Sequence, residues 1–156
     1  MSEEVKEVKE EIIFKLFDVK YIYANNNYEE FRKIIQQIMV IDKIRFPDAI
    51  SFEVGYDYLE VIFNGDEIIG YLLACNYDPH YQKENVVYVL TLNIKDEYQK
   101  RGYGSQLLNN LLNYFKIPVI LDSENHLIEF YEKNGFKEFS RLKHSTHPQV
   151  RFIKTN

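Results

Sequence analysis

Gln99-Lys100-Arg101-Gly102-Tyr103-Gly104-Ser105 joins an apolar, strand-like run (residues 86–94) to a leucine-rich helical pattern (residues 106–115). Two glycines one residue apart in a basic, polar turn leave main-chain N–H groups bare, and a helix N-terminus follows at once. That combination offers donors and a positive dipole end to an anion, usually a phosphate. Glycine serves twice here: it accepts positive φ, and it has no Cβ to hold a ligand off the backbone. Lys100 and Arg101 add positive charge at the same spot. The same residues also suit a plain tight turn that closes a helix onto a sheet.

Other chemistry-bearing residues have blander readings. Cys75 is the single cysteine, so no disulfide forms within the chain and a reducing, cytoplasmic setting is expected. It reads as buried packing, because a covalent acyl-cysteine mechanism needs a paired histidine and none is identifiable. His144-x-x-His147 has the look of a metal pair, but Pro148 follows and no third ligand is near, so a loop and no metal are expected.

The chain that carries these residues has 156 of them, 46% apolar and 28% charged, which suits one domain with a real core. With 13 Tyr, 11 Phe and no Trp, aromatic rings must fill much of that core, and tyrosine hydroxyls line its clefts. A net charge of −5 argues against a broad nucleic-acid surface and mildly suits cationic partners. No apolar window reaches the ~18 residues of a membrane span. Residues 1–11 are charged and lack the apolar stretch of a signal peptide, so they read as a solvated, disordered lead-in to one domain over residues 12–156.

Elements alternate along that domain. Residues 12–19 are strand-like. Asn27 and Glu30 form a capping pair for a helix over about 28–40, whose Phe31, Ile34, Ile35 and Ile38 share one face. Residues 58–63 and 67–75 read as a hairpin closed by Asn64-Gly65. Asp78-Pro79 is a further turn, and residues 86–94 are the third long strand. Leu107, Leu108, Leu111, Leu112 and Phe115 give the next helix one buried face. Pro118 ends it, and residues 119–121 form a short strand. Residues 125–133 form a second helix, closed by Asn134-Gly135. Residues 136–139 and 150–153 pair as the last strands. The pattern is α/β or α+β with a mixed sheet.

Two phosphate-binding architectures compete. A dinucleotide fold wants a third glycine and an acidic residue about 20 positions on. Asp122 lies at that distance from Gly102, but Leu107 holds the third glycine position and a hairpin precedes the turn. A Walker A loop is excluded, since no Gly-Lys-Ser/Thr occurs.

The other reading is a resemblance. Leu92-Asn93-Ile94 followed by Gln99-Lys100-Arg101-Gly102-Tyr103-Gly104 resembles the acetyl-CoA motif of the GNAT N-acetyltransferase superfamily, Arg/Gln-x-x-Gly-x-Gly/Ala after a strand. Asn125-His126-Leu127-Ile128-Glu129-Phe130-Tyr131-Glu132-Lys133-Asn134-Gly135-Phe136 is similar to that family's second signature, Asn-x-x-x-x-x-Tyr-Glu-Lys-x-Gly-Phe. The likeness is specific over residues 86–136.

The resemblance implies a mixed, mostly antiparallel central sheet flanked by helices, with splayed strands forming a coenzyme slot. The backbone of Leu92, Asn93 and Ile94 would run alongside the pantetheine arm. Amides of Arg101, Gly102, Tyr103, Gly104 and Ser105 would hold the pyrophosphate beside Lys100, with Gln99 supporting the loop. Asn125 would touch the pantetheine or phosphate side, and Tyr131 would stand near the sulfur as proton donor.

Acetyl-CoA would be the co-substrate. The acceptor would be a small amine, a peptide N-terminus or a lysine, and the protein a monomer or homodimer. Many relatives place a carboxylate on the strand before Leu-x-Ile, where this chain has Val89, Leu90 and Thr91. Glu53, Asp57, His80, Tyr88 or a water are then the candidates for general base. A non-catalytic, acetyl-CoA-sensing domain of the same fold stays open beside the enzyme.

Overall fold

The computed structural model describes residues 10–25, 28–45, 56–78, 85–142 and 149–155. Among the described residues seven strands make one sheet: β1 (Ile12–Asp18), β2 (Tyr58–Asn64), β3 (Glu67–Cys75), β4 (Val87–Ile94), β5 (Val119–Glu124), β6 (Lys137–Leu142) and β7 (Gln149–Lys154). Their order is β1-β2-β3-β4-β5-β7-β6, and β4–β5 is the one parallel pair. The helices are α1 (Val19–Ala24), α2 (Tyr28–Arg45), α3 (Tyr103–Tyr114) and α4 (Ile128–Lys133). None of the described helices is long and apolar enough to cross a membrane.

The alternation of side chains along each strand splits the core into two layers. On one face Ile62, Leu72, Val87, Val89 and Leu121 pack against Leu107, Leu108, Leu111 and Leu112 of α3 and Tyr131 of α4. On the other, Leu59, Val61, Tyr71 and Leu73 pack against Phe31, Ile34, Ile38 and Ile41 of α2. The 3.6-residue spacing of both helical stripes accounts for their burial.

The structure departs from the sequence-based expectation at particular points. Val19 opens a short helix instead of ending the strand, because the Asp18 carboxylate accepts from the Tyr21 N–H at 3.4 Å and caps it. The α2 helix runs on to Arg45, while Asn27 lies outside the described residues. The β2–β3 turn is centred one residue later than expected. Asn64 still pairs with Glu67, and Gly65 alone takes positive φ, +59°.

Asn64 works through its side chain instead, accepting from the Glu11 N–H at 3.1 Å. The Gly65 N–H in turn donates to the Glu11 carbonyl at 3.0 Å, so residues 10–11, expected to fray, are tied down. The second expected helix is a 3₁₀ turn, Asn125–Leu127, followed by α4.

Candidate active site

Strands β4 and β5 pair only at Val87–Val119, Tyr88–Ile120 and Val89–Leu121. Beyond that point β4 stays with β3 as far as Ile94, and β5 stays with β7 as far as Glu124. The two neighbours therefore part, leaving a V-shaped gap in the middle of the sheet. A bulge marks the parting: Leu73 faces Thr91 and Ala74 faces Val89, so Leu90 is the extra residue on β4.

The antiparallel register settles which main-chain groups line the gap. Lys95 N–H donates to the Ile69 carbonyl at 2.9 Å. Hydrogen-bonded and non-bonded pairs alternate, so Asn93–Tyr71 is the next bonded pair, and Leu92 and Ile94 turn their N–H and C=O away from β3. Leu92 thus presents a bare N–H and C=O to the gap and Ile94 a bare N–H, the Ile94 carbonyl being taken by Gln99 Nε2. Asn93 does not: its main chain is used by β3, and its side chain is 3% exposed with Nδ2 unpartnered among the described residues.

The gap leads to the bend before α3. Gln99 Nε2 donates to the Ile94 carbonyl at 3.0 Å and to Asp96 Oδ1 at 3.1 Å, bracing the loop. Lys100 (φ +62°) and Gly102 (φ +86°) both take left-handed backbone, which turns successive amides toward one side. Gly102 caps α3 without a side chain, and the first bond of the helix is Gln106 N–H to the Gly102 carbonyl at 3.0 Å. The N–H groups of Tyr103, Gly104 and Ser105 consequently have no partner within the helix.

Gly104 has a packing reason as well. A Cβ there would lie 3.3 Å from Phe130 Cζ, so glycine lets the first turn of α3 close on α4. Arg101 is not free at the bend: it pairs with Glu10 at 2.9 Å and lies over the Tyr98 ring.

Tyr131 sits on α4 at 7% exposure, with the rings of Phe130, Phe136 and Phe152 around it. Burial pushes its pKa up to about 12, so the hydroxyl keeps its proton at neutral pH. No described residue hydrogen-bonds that hydroxyl. Asn125 falls in the 3₁₀ turn directly after β5.

Of the candidate bases, Glu53 and His80 lie outside the described residues, as does His144-x-x-His147. Asp57 accepts from the Asn76 N–H at 2.9 Å at the start of β2. Tyr88 is buried, donates to Asp122 at 2.6 Å, and has its pKa driven further up by burial and by that carboxylate. It stands as a donor, not a base. Cys75 is buried and its thiol bonds the Tyr77 carbonyl, in keeping with a packing role.

Two buried polar groups escaped the sequence reading. Arg151 on β7 is 1% exposed and holds both Asp78 and Asp122. Glu60 on β2 is 3% exposed and bonds Asn110 of α3 at 2.9 Å. The available signal was a charge at an inward strand position, between Val150 and Phe152 in one case and between Leu59 and Val61 in the other.

The sequence matches the acetyltransferase (GNAT) family over residues 21–136. It is 27% identical over 117 residues to N-alpha-acetyltransferase 50 of Danio rerio, covering 66% of this chain and 68% of that protein. It is 24% identical over 117 residues to the probable N-acetyltransferase san of Drosophila melanogaster, covering 66% of this chain and 62% of that one. Among solved structures, Arabidopsis thaliana NAA60 in complex with acetyl-CoA superposes with a TM-score of 0.67 at 19% identity, over 94% of this chain and all 100% of that one. An aminoglycoside 6'-N-acetyltransferase complexed with coenzyme A gives a TM-score of 0.69 at 16% identity, over 92% and 96%. At those identities the two structures speak for the fold.

Proposed function

This chain belongs to the GNAT acetyltransferase family, and on that ground we propose that it transfers the acetyl group of acetyl-CoA directly to a primary amine. The observation that carries this reading is the gap beyond Val89 and Leu121, edged by the free main-chain groups of Leu92 and the free N–H of Ile94 and ending at the uncapped start of α3. A pantetheine arm carries amides of its own and would add to β4 as an extra strand does. Its diphosphate would then meet the N–H groups of Tyr103, Gly104 and Ser105 at the positive end of α3. Acetyl-CoA or CoA named in the two superposable structures supports the choice of ligand.

The chemistry follows from that placement. The neutral amine attacks the thioester carbon and a C–N bond forms, putting negative charge on the carbonyl oxygen. A β4 amide at or next to Leu92 stabilises that oxyanion, a contribution of about 10²–10³ in rate where such donors have been removed. The C–S bond then breaks and the sulfur takes a proton, for which Tyr131 is the donor. The attacking nitrogen sheds its own proton to Asp57, Glu53, His80 or water.

Acceptors carry positive charge before reaction, which the acidic composition suits: a small polyamine, an amino sugar, a peptide N-terminus or a lysine. Calorimetry with acetyl-CoA, followed by thiol release across those four amine classes, tests the reading. Binding with release for at least one class supports it; binding without release for any makes the protein a coenzyme sensor. Gly104→Glu sets a carboxylate against the diphosphate and abolishes binding. Retained micromolar affinity in a folded Gly104→Glu protein overturns the site.

A further inference from the structure

The two walls of the gap are joined by backbone only below it, so something else must fix how far apart they stand. On the α3 face, packed side chains do so. On the opposite face a buried polar cluster spans the parting. Arg151 of β7 donates Nε to Asp122 Oδ1 at 2.9 Å and Nη2 to Asp122 Oδ2 at 3.0 Å. Its Nη1 and Nη2 also reach both oxygens of Asp78, which follows β3. Tyr88 of β4 donates to Asp122 Oδ2 at 2.6 Å. Asp122 is the first residue of β5 past its last pair with β4, and Tyr88 stands one residue before the last pair on β4. Side chains of Arg151, Asp78 and Asp122 are 1%, 0% and 3% exposed. One guanidinium therefore ties the exit of β3, the apex of the gap on β4 and β5, and β7.

We propose that Arg151 is a positioning residue for acetyl transfer: through Asp122 and Tyr88 it sets the separation of β4 and β5 at the apex of the gap. This role presupposes the transfer reading above. A buried ion cluster adds little net stability, and the planar fork of an arginine holds its carboxylates in fixed directions. Placement matters to the reaction: a displacement of about 1 Å between reacting groups costs on the order of 10²-fold in rate. The diphosphate grip at α3 is at the far end of the gap and does not depend on the cluster.

The test uses Arg151→Lys, Tyr88→Phe and the double variant, with turnover expressed per acetyl-CoA site counted by calorimetry, so that unfolded protein does not enter. Each single variant is expected to lose about 30-fold or more in kcat, with KM for acetyl-CoA within about threefold of wild type. The double variant is expected to lose no more than the worse single, as parts of one unit do. Turnover per site within threefold of wild type in Arg151→Lys overturns the inference, as does full additivity. Should Arg151→Lys not fold, Tyr88→Phe decides alone, since it keeps the ring and buries no unpaired charge: retained turnover overturns, loss at unchanged KM supports. Failure of the wild type to bind acetyl-CoA is the separate result that removes the transferase reading itself.

Discussion

Tyr131 and Glu60 show how burial gives a single side chain its behaviour. Tyr131 is enclosed by three phenylalanine rings and retains its proton well above neutral pH. Removing that hydroxyl as Tyr131→Phe leaves the packing intact. Turnover should fall by about 10²-fold while acetyl-CoA affinity stays within twofold; equal turnover in steady-state assays would remove the acid role. Glu60 lies beneath α3, with Oε1 on Asn110 and Oε2 unpartnered among the described residues. Desolvation lifts its pKa from 4.5 to about 7, the Asn110 bond offsetting a little.

The unfolded chain releases that proton near 4.5 and the folded chain holds it to about 7. Stability from the protonated carboxyl is therefore full below the lower value, drains between the two, and is gone above the upper. The loss is roughly 3 kcal/mol at 1.36 kcal/mol per pKa unit. Glu60→Gln keeps the acceptor for Asn110 and never ionises, so its melting temperature should lack the wild type's decline over that window. Parallel melting curves from pH 4 to 8 would show that Glu60 does not titrate there. Neither Glu60 nor Arg151 was legible as a site residue in the sequence. Their significance lies in which strand faces they occupy and in Asn110, Asp78 and Asp122, partners far away along the chain.

At the scale of elements, what was legible depended on the range of the interaction. Period-two and 3.6-residue patterns gave the strands and the buried stripe of α3, because those signals are local. The bend from Gln99 to Ser105 was also readable, since left-handed backbone at Gly102 demands its residue type. The α1 helix was hidden because its six residues are too few to show a 3.6-residue period, and only the Asp18 cap betrays a helix start. The parting of β4 and β5 came from the family resemblance, and the alternation of hydrogen-bonded pairs that turns the Asn93 main chain toward β3 is revealed by no composition.

That alternation makes its own prediction. In the free protein the Leu92 and Ile94 amides should exchange with solvent faster than those of Asn93 and Tyr71. Saturating acetyl-CoA should slow the first two by at least about tenfold as a ligand strand covers them. Binding that leaves both amides unprotected would put the ligand somewhere other than the gap.

The molecule as a whole carries a charge of −5, yet the proposed ligand is a polyanion. Attraction must therefore come from the bend itself, where amides and the α3 dipole are fixed and Arg101 is shared with Glu10. Both side chains of that pair are about half exposed, at 47% and 48%, so the pair is worth about 0.2–1 kcal/mol. Glu10→Gln should release the guanidinium and tighten acetyl-CoA binding by up to about fivefold at low salt. The gain should vanish near 1 M salt, where screening acts over about 3 Å. Calorimetry at two ionic strengths checks it; a gain that survives high salt would point to a cause other than the freed charge.

Sheet order has a temporal consequence. Strands β2, β3 and β4 follow one another along the chain and pair as neighbours, whereas β5 takes most of its partners from β7, beyond α4 and β6. Contacts between near neighbours close fast and those between distant segments close slowly. During renaturation one wall of the cleft should be complete while the other still waits for its flanking ribbon. Regain of far-ultraviolet dichroism should then precede regain of coenzyme affinity, and a stopped-flow experiment would see the lag.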